Sequence, residues 1–253
     1  MQRRAALLLC LLALAGCKRK TTKSKAAVAS TPSSRQAPGA LIALPPIVSD
    51  DAGAPLTGAI GNDAYGFPTL HVDRVVLRTM LAHKQYKELT KVFEDAQAAF
   101  EADPSRETWP MEAGDAFASA EASIIPALDA WVAATPDSFA PYLARATHWN
   151  DAGNARRGGR PAKDTPPNDM ALMREAFAHA KPDLDRSLTL RPKLVAAHRL
   201  RIQIARHKGE AKVADGTISA ALATCPSCFR IRVVYILNSV PRWGGSYPIS
   251  TRS

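Results

Sequence analysis

Four copies of one apolar phrase, each closed by a proline, set the first constraint on this chain. They are Val92-x3-Ala96-x2-Ala99-x4-Pro104, Ile124-x3-Leu128-x2-Trp131-x4-Pro136, Ala180-x3-Leu184-x2-Ser187-x4-Pro192 and Ala214-x3-Ile218-x2-Ala221-x4-Pro226. The first three positions of each phrase are i, i+4 and i+7, which is one face of an α-helix. Such a face must pack on a neighbouring element. The proline beyond it cannot continue the helix and is well placed to begin the next one. From about Phe67 the chain is rich in alanine and poor in β-branched runs, and no Asn-Gly or Asp-Gly turn joins alternating strand-like segments. The prediction is an all-α fold.

The closing prolines are 32, 56 and 34 residues apart. A period near ~34 residues with this phrase resembles the tetratricopeptide repeat, which implies an array of helix-turn-helix units; an irregular helical bundle is the alternative. The interval of 56 is one period with 22 residues added. The addition falls around Ala152 to Asp169, in AGNARRGGRPAKDTPPND, so a lengthened helix pair with an exposed loop is expected there. Gly209 stands where such a unit turns between its two helices. His198 and Arg201 occupy first-helix positions where larger apolar residues are usual.

A second resemblance runs from about His83 to Tyr247. It is carried by Trp131 and Pro136 in WVAATPDS, by Tyr142, Arg145 and Trp149 in PYLARATHW, and by Arg156, Arg157 and Gly158 in ARRGG. AKPDLDRSLTLRP, ending at Pro192, and PRWGGS, Pro241 to Ser246, complete it. These segments are similar to a bacterial family known as the domain of unknown function DUF4034. The resemblance implies a tetratricopeptide-like helical fold and no particular activity. It also implies a further helix after the Trp-Gly-Gly-Ser, whereas this sequence continues as YPISTRS, so a truncated or replaced C-terminal cap is expected.

The N-terminal sequence MQRRAALLLCLLALAGC has the layout of an export signal: Arg3 and Arg4, an uncharged apolar run from Ala5 to Ala15, then small residues before Cys17. The apolar run is short of the ~20 residues a membrane-spanning helix needs. Leu14-Ala15-Gly16-Cys17 resembles the lipobox of bacterial lipoproteins, which implies that Cys17 becomes the acylated N-terminus, carrying chains such as palmitate. Lys18, in place of an aspartate, favours the outer membrane over the inner by analogy with enterobacterial sorting.

The net charge of +10 suggests a nucleic-acid partner until its distribution is read. Residues 1–49 hold eight basic side chains and no acid, leaving 25 basic and 23 acidic side chains for the rest. The excess belongs to the tail and not to a folded face, so no nucleic-acid partner is expected. The run from Lys18 to Lys25 either attracts anionic lipid or cell-wall polymer or simply keeps the tether solvated. Residues 18–66 are rich in Ala, Ser, Thr, Pro and Lys and read as a disordered tether. The expected organisation is therefore a signal peptide over 1–16, a lipidated tether over 17–66, a helical domain over 67–247 and a short tail over 248–253.

No phosphate-binding glycine loop, G-x-S-x-G elbow or H-E-x-x-H motif occurs, and no histidine pair has metal-ligand spacing beside a carboxylate. The expectation is a non-enzymatic protein- or peptide-binding scaffold without cofactor or metal. Its binding residues are predicted on a helix over 138–157, where Arg145, Trp149 and Arg156 share one side and would grip an acidic or aromatic segment. The other reading makes Trp149 a core residue that the arginines support by packing or ion pairing.

Cys225 and Cys228 are the remaining pair, in Cys-Pro-Ser-Cys. Across a first helical turn they are close enough for a disulfide, and export would permit one. A labile redox pair, catalysis or metal binding are the other readings. The redox reading makes the chain a tethered thiol–disulfide protein. Against catalysis, thioredoxin-like motifs follow a β-strand, whereas VADGTISAALAT reads as a helix and Pro226 as a seam between helices.

Overall fold

The computed structural model describes residues 72–240. The expected signal, Cys17, the tether, the 67–71 boundary and the segment from Pro241 to Ser253 lie outside the described residues. Nine α-helices are described: α1 (Arg74–Ala82), α2 (Tyr86–Ala102), α3 (Thr108–Asp115), α4 (Ile125–Ala134), α5 (Ala140–Arg157), α6 (Pro167–Leu190), α7 (Val195–His207), α8 (Ala211–Thr224) and α9 (Phe229–Ser239). No strand occurs among the described residues. The fold is all-α, as the sequence predicts.

The four prolines do one job at four places. Helices α2, α4, α6 and α8 each end two residues before Pro104, Pro136, Pro192 and Pro226. The intervening residues are Asp103, Thr135, Arg191 and Cys225, with φ of −142°, −137°, −139° and −138°. A residue before proline is pushed out of the helical region by the proline ring, so the helix stops one residue early each time. The cap N–H still reaches back to Ala99, Trp131, Ser187 or Ala221, the third position of each phrase, at 2.9–3.0 Å. The stripe residues face inward: Val92, Ala96, Leu128, Trp131, Ala180, Leu184, Ser187, Ala214 and Ala221 are buried, while Ala99, Ile124 and Ile218 are half-buried.

Turns inside the pairs also repeat. Between α7 and α8 the Glu210 N–H reaches the Ala205 carbonyl at 2.7 Å, and Gly209 takes φ +75°. Between α1 and α2 the Gln85 N–H reaches Met80 at 2.9 Å, and Lys84 takes φ +58°. Both are Schellman-type helix ends, which need a left-handed residue. Gly209 meets that need without a Cβ, and Lys84 meets it at some cost.

Consecutive odd-numbered helices touch one another, α1 on α3, α3 on α5, α5 on α7 and α7 on α9. The second unit departs from the pattern. Helix α3 is only eight residues long and packs mainly on α2, α5 and α7. The core runs through every unit. Its largest cluster sets Phe93, Phe117 and Trp131 ring to ring, with Phe93 edge-on to Trp131 at 5.5 Å. The Trp131 indole N–H donates to Thr90 Oγ1 at 2.9 Å, so this buried ring leaves no polar atom unmatched.

The insertion is largely helix. Helix α5 continues to Arg157 and α6 begins at Pro167, so the connection is limited to 158–166. The sequence expectation of a loop across Ala152–Asp169 is corrected accordingly. Gly153 lies inside α5 with the Phe177 ring directly over it, and an added Cβ would clash with that ring. The helix stops instead at Gly158, with φ +67°.

Candidate functional site

Helix α5 carries the three predicted binding residues, and they have different surroundings. Trp149 is half-buried and Arg156 exposed, and both line a cleft of about 190 Å³ among the turn before α4, α5 and α6. The Trp149 ring stacks on His179 of α6, with centroids 4.5 Å apart and planes 24° apart. Behind it, His148 meets the same indole edge-on at 5.2 Å. His148 is 1% exposed, hydrogen-bonds with the Ser119 backbone, and leaves Nδ1 without a hydrogen-bond partner among the described residues. Burial lowers its pKa, so the ring is neutral. Glu175 lines the opposite wall. This face offers an aromatic platform with one cation and one carboxylate at its mouth.

Arg145 does not line that cleft. Its Nε and Nη2 donate to the two carboxylate oxygens of Asp183 at 2.8 and 2.7 Å, and its Nη1 donates to Asp129 at 2.6 Å. One guanidinium thus ties α4, α5 and α6 together. The hydrogen bonds to Asp183 raise the pKa of Arg145, and burial pushes that of Asp183 upward against the pull of the guanidinium. Asp183 is 4% exposed, so this is a partly desolvated bidentate pair that holds helices in place.

Cys225 and Cys228 form a disulfide with sulfurs 2.16 Å apart and Cα atoms 5.4 Å apart. Both residues are buried, at 4% and 1% exposure. Cys228 caps α9, and a cysteine at a helix N-terminus is often activated by the unpaired N–H groups there. Here those groups are occupied. Glu107 Oε1, from the segment before α3, accepts from the N–H groups of Phe229 and Arg230, both at 2.8 Å. A carboxylate in that position disfavours a thiolate beside it. The Arg232 guanidinium is also engaged, donating to the carbonyls of Cys228 and Pro226 at 2.7 and 2.6 Å. The bridge lies in the seam between α8 and α9, the place where the proline pattern puts it.

Sequence reading could not find Glu107, Asp183, Asp129 or His179 as partners. Each lies 16 to 123 residues from the group it meets, and although Asp183 falls within AKPDLDRSLTLRP, nothing in that segment points to Arg145. Among the described residues, no group of three or more His, Cys, Asp or Glu could hold a metal ion, and no helix is long and apolar enough to cross a membrane.

A family model described as a domain of unknown function (DUF4034) matches residues 73–212. The match takes in Trp131, Pro136, Trp149, Arg156 and Pro192; it begins ten residues before His83 and excludes Pro241–Ser246. Neither the curated proteins nor the solved structures give a significant match.

Proposed function

The chain belongs to the DUF4034 family, and from that premise we propose that it is a non-enzymatic scaffold of the bacterial envelope. In this reading Cys17 is lipidated and anchors the chain, with the outer membrane favoured. The basic tether spaces the helical unit from the bilayer, with Lys18 to Lys25 resting on anionic lipid or cell-wall polymer. The helix pairs work as a tetratricopeptide-like array that presents a protein or peptide site.

The observation that carries the scaffold reading is the open cleft on α5 and α6. Trp149 is stacked and oriented by His179 yet still reaches the surface, and Arg156 is exposed beside it. Exposed aromatic and arginine side chains on rigid helices are the groups that dominate protein recognition. The thiol–disulfide alternative is less well supported, because both cysteines are buried and Glu107 occupies the N–H groups that would activate Cys228.

A photo-crosslinking residue in place of Arg156, in the full-length chain in cells, tests the scaffold. Adducts with envelope proteins are expected at that position and not at Lys91, an exposed residue of α2. Equal yields at the two positions, or none at either, would remove the scaffold reading. Labelling with an alkynyl fatty acid tests the anchor, which should disappear in Cys17→Ser.

A further inference from the structure

A second opening lies between α6, α7 and the start of α8, away from Trp149. Its volume is about 410 Å³. Phe177 and Leu184 of α6 and Ile204 and Ala205 of α7 form an apolar floor, and Val213 of α8 flanks it. Phe177 and Leu184 are two turns apart on one helix, so the trough is about 10 Å long. The floor is fixed: Phe177 sits on Gly153 on one side and stacks on His207 at 5.9 Å on the other.

The rim is basic. Lys181 stands on one wall, with Arg201 and Lys208 two turns apart on the other. The carboxylates beside them are fewer. Asp185 is shared by Lys181 at 2.7 Å and Arg201 at 3.0 Å, and Glu210 pairs with Lys208 at 2.6 Å. One positive charge is left over, and Lys181 is 69% exposed in its side chain. Such solvated pairs are weak and exchange readily with incoming carboxylates.

The trough therefore combines an apolar floor and a cationic rim.

We propose that this trough binds an acidic amphipathic helix of a partner protein, with two apolar side chains one turn apart on the floor and flanking carboxylates on the rim. Anchors four residues apart are about 6 Å apart along a helix, which fits a ~10 Å trough. An extended acyl chain of ordinary length overruns it. The excess of cations over carboxylates sets the sign of the partner. The proposal rests on the scaffold reading and names its partner class.

The test uses the full-length chain and three fluorescent probes followed by anisotropy. The first is a helical peptide with two leucines four apart flanked by glutamates. The second carries lysines in place of the glutamates, and the third is a twelve-carbon fatty acid. The protein variants are Lys181→Glu with Lys208→Glu, which alters only rim side chains, and Ala178→Trp, which fills the trough. Thermal melts confirm that both variants remain folded.

The glutamate peptide should bind at least tenfold more tightly than the lysine peptide. Each variant should weaken it tenfold or more, and added salt should weaken it too. Equal binding of the two peptides, binding unaffected by the rim exchange, or binding of the fatty acid alone overturns the proposal. If the glutamate peptide fails while crosslinking through Arg156 persists, the trough proposal falls and the scaffold stands. If both fail, the scaffold reading falls as well.

Discussion

Two glycines inside helices show how differently one residue type is used here. Gly153 in α5 is buried with the Phe177 ring pressed on it, whereas Gly216 in α8 is exposed and has nothing within 4 Å of an added Cβ. Alanine is favoured over glycine in a helix by about 1 kcal/mol. At Gly216 that gain is unopposed, so Gly216→Ala should stabilise the fold by about 0.5–1 kcal/mol. At Gly153 the new methyl group must displace a ring that is buried and held by His207. Overpacking of that kind costs about 1–3 kcal/mol, so Gly153→Ala should come out destabilised by about 1 kcal/mol net. Urea unfolding of both variants checks the pair. Stabilisation at both positions would show that Phe177 gives way, and with it the fixed floor of the trough. The two glycines look alike in sequence, because what separates them is a ring 24 residues further on.

At the scale of the element, α9 depends on a residue 122 positions earlier. No side chain of its own N-cap residue serves as a cap, and Glu107 satisfies two of its N–H groups from outside. Removing that carboxylate leaves two N–H groups at the start of α9 without their side-chain cap, which costs about 0.5–2 kcal/mol. Glu107→Ala should therefore loosen α9 first, and amide exchange at Phe229 and Arg230 should accelerate at least tenfold while α5 stays protected. Uniform acceleration across all helices would mean that Glu107 serves the global fold and not this cap. The helix ends themselves were legible: four prolines in register predicted where α2, α4, α6 and α8 stop, because the steric effect of proline is local. That Cys225 and Cys228 lie within bridging distance was legible as well, because three residues of local backbone set their separation. The role of Arg145 was not, since its partners Asp129 and Asp183 come from two other helices. The position of Arg145 on α5 gave its face, and only the packing of α4 and α6 shows that the guanidinium is consumed in holding them. Trp149 and Arg156 were readable as neighbours because they share one helix, while the stacking of His179 on Trp149 depends on how α6 crosses α5.

Across the helical unit, three histidines on two helices are held neutral by burial: His148 in α5, and His198 and His207 in α7. His198 and His207 have pKa values pushed down to about 4, first by desolvation and then by Arg201 and Arg157 respectively. An unfolded histidine titrates near ~6.5. Above that pH both states are neutral, and these groups add no pH dependence. As pH falls from about 6.5 towards 4, the unfolded chain binds protons that the folded unit refuses, so stability is lost. The ceiling is about 3 kcal/mol for each of the two strongly shifted rings. Asp183 acts in the opposite sense, because burial raises its pKa and the folded state then holds a proton more readily than the unfolded chain from about 3.8 upward. That contribution is lost as pH rises and partly offsets the histidines at the acid end. The net expectation is a melting temperature that is flat above pH 7 and drops steeply between pH 6.5 and 4.5. His198→Gln removes one titrating ring while keeping a polar side chain, and should make that drop shallower even if it lowers the melting temperature at pH 7. Thermal melts across the window decide it. A wild-type melting temperature unchanged from pH 7 to 4.5, or an unaltered slope in His198→Gln, would mean that these rings take up protons in the folded unit as easily as in water. For His207, which stacks on Phe177, uptake of that kind would mean a trough floor wetter than its packing indicates.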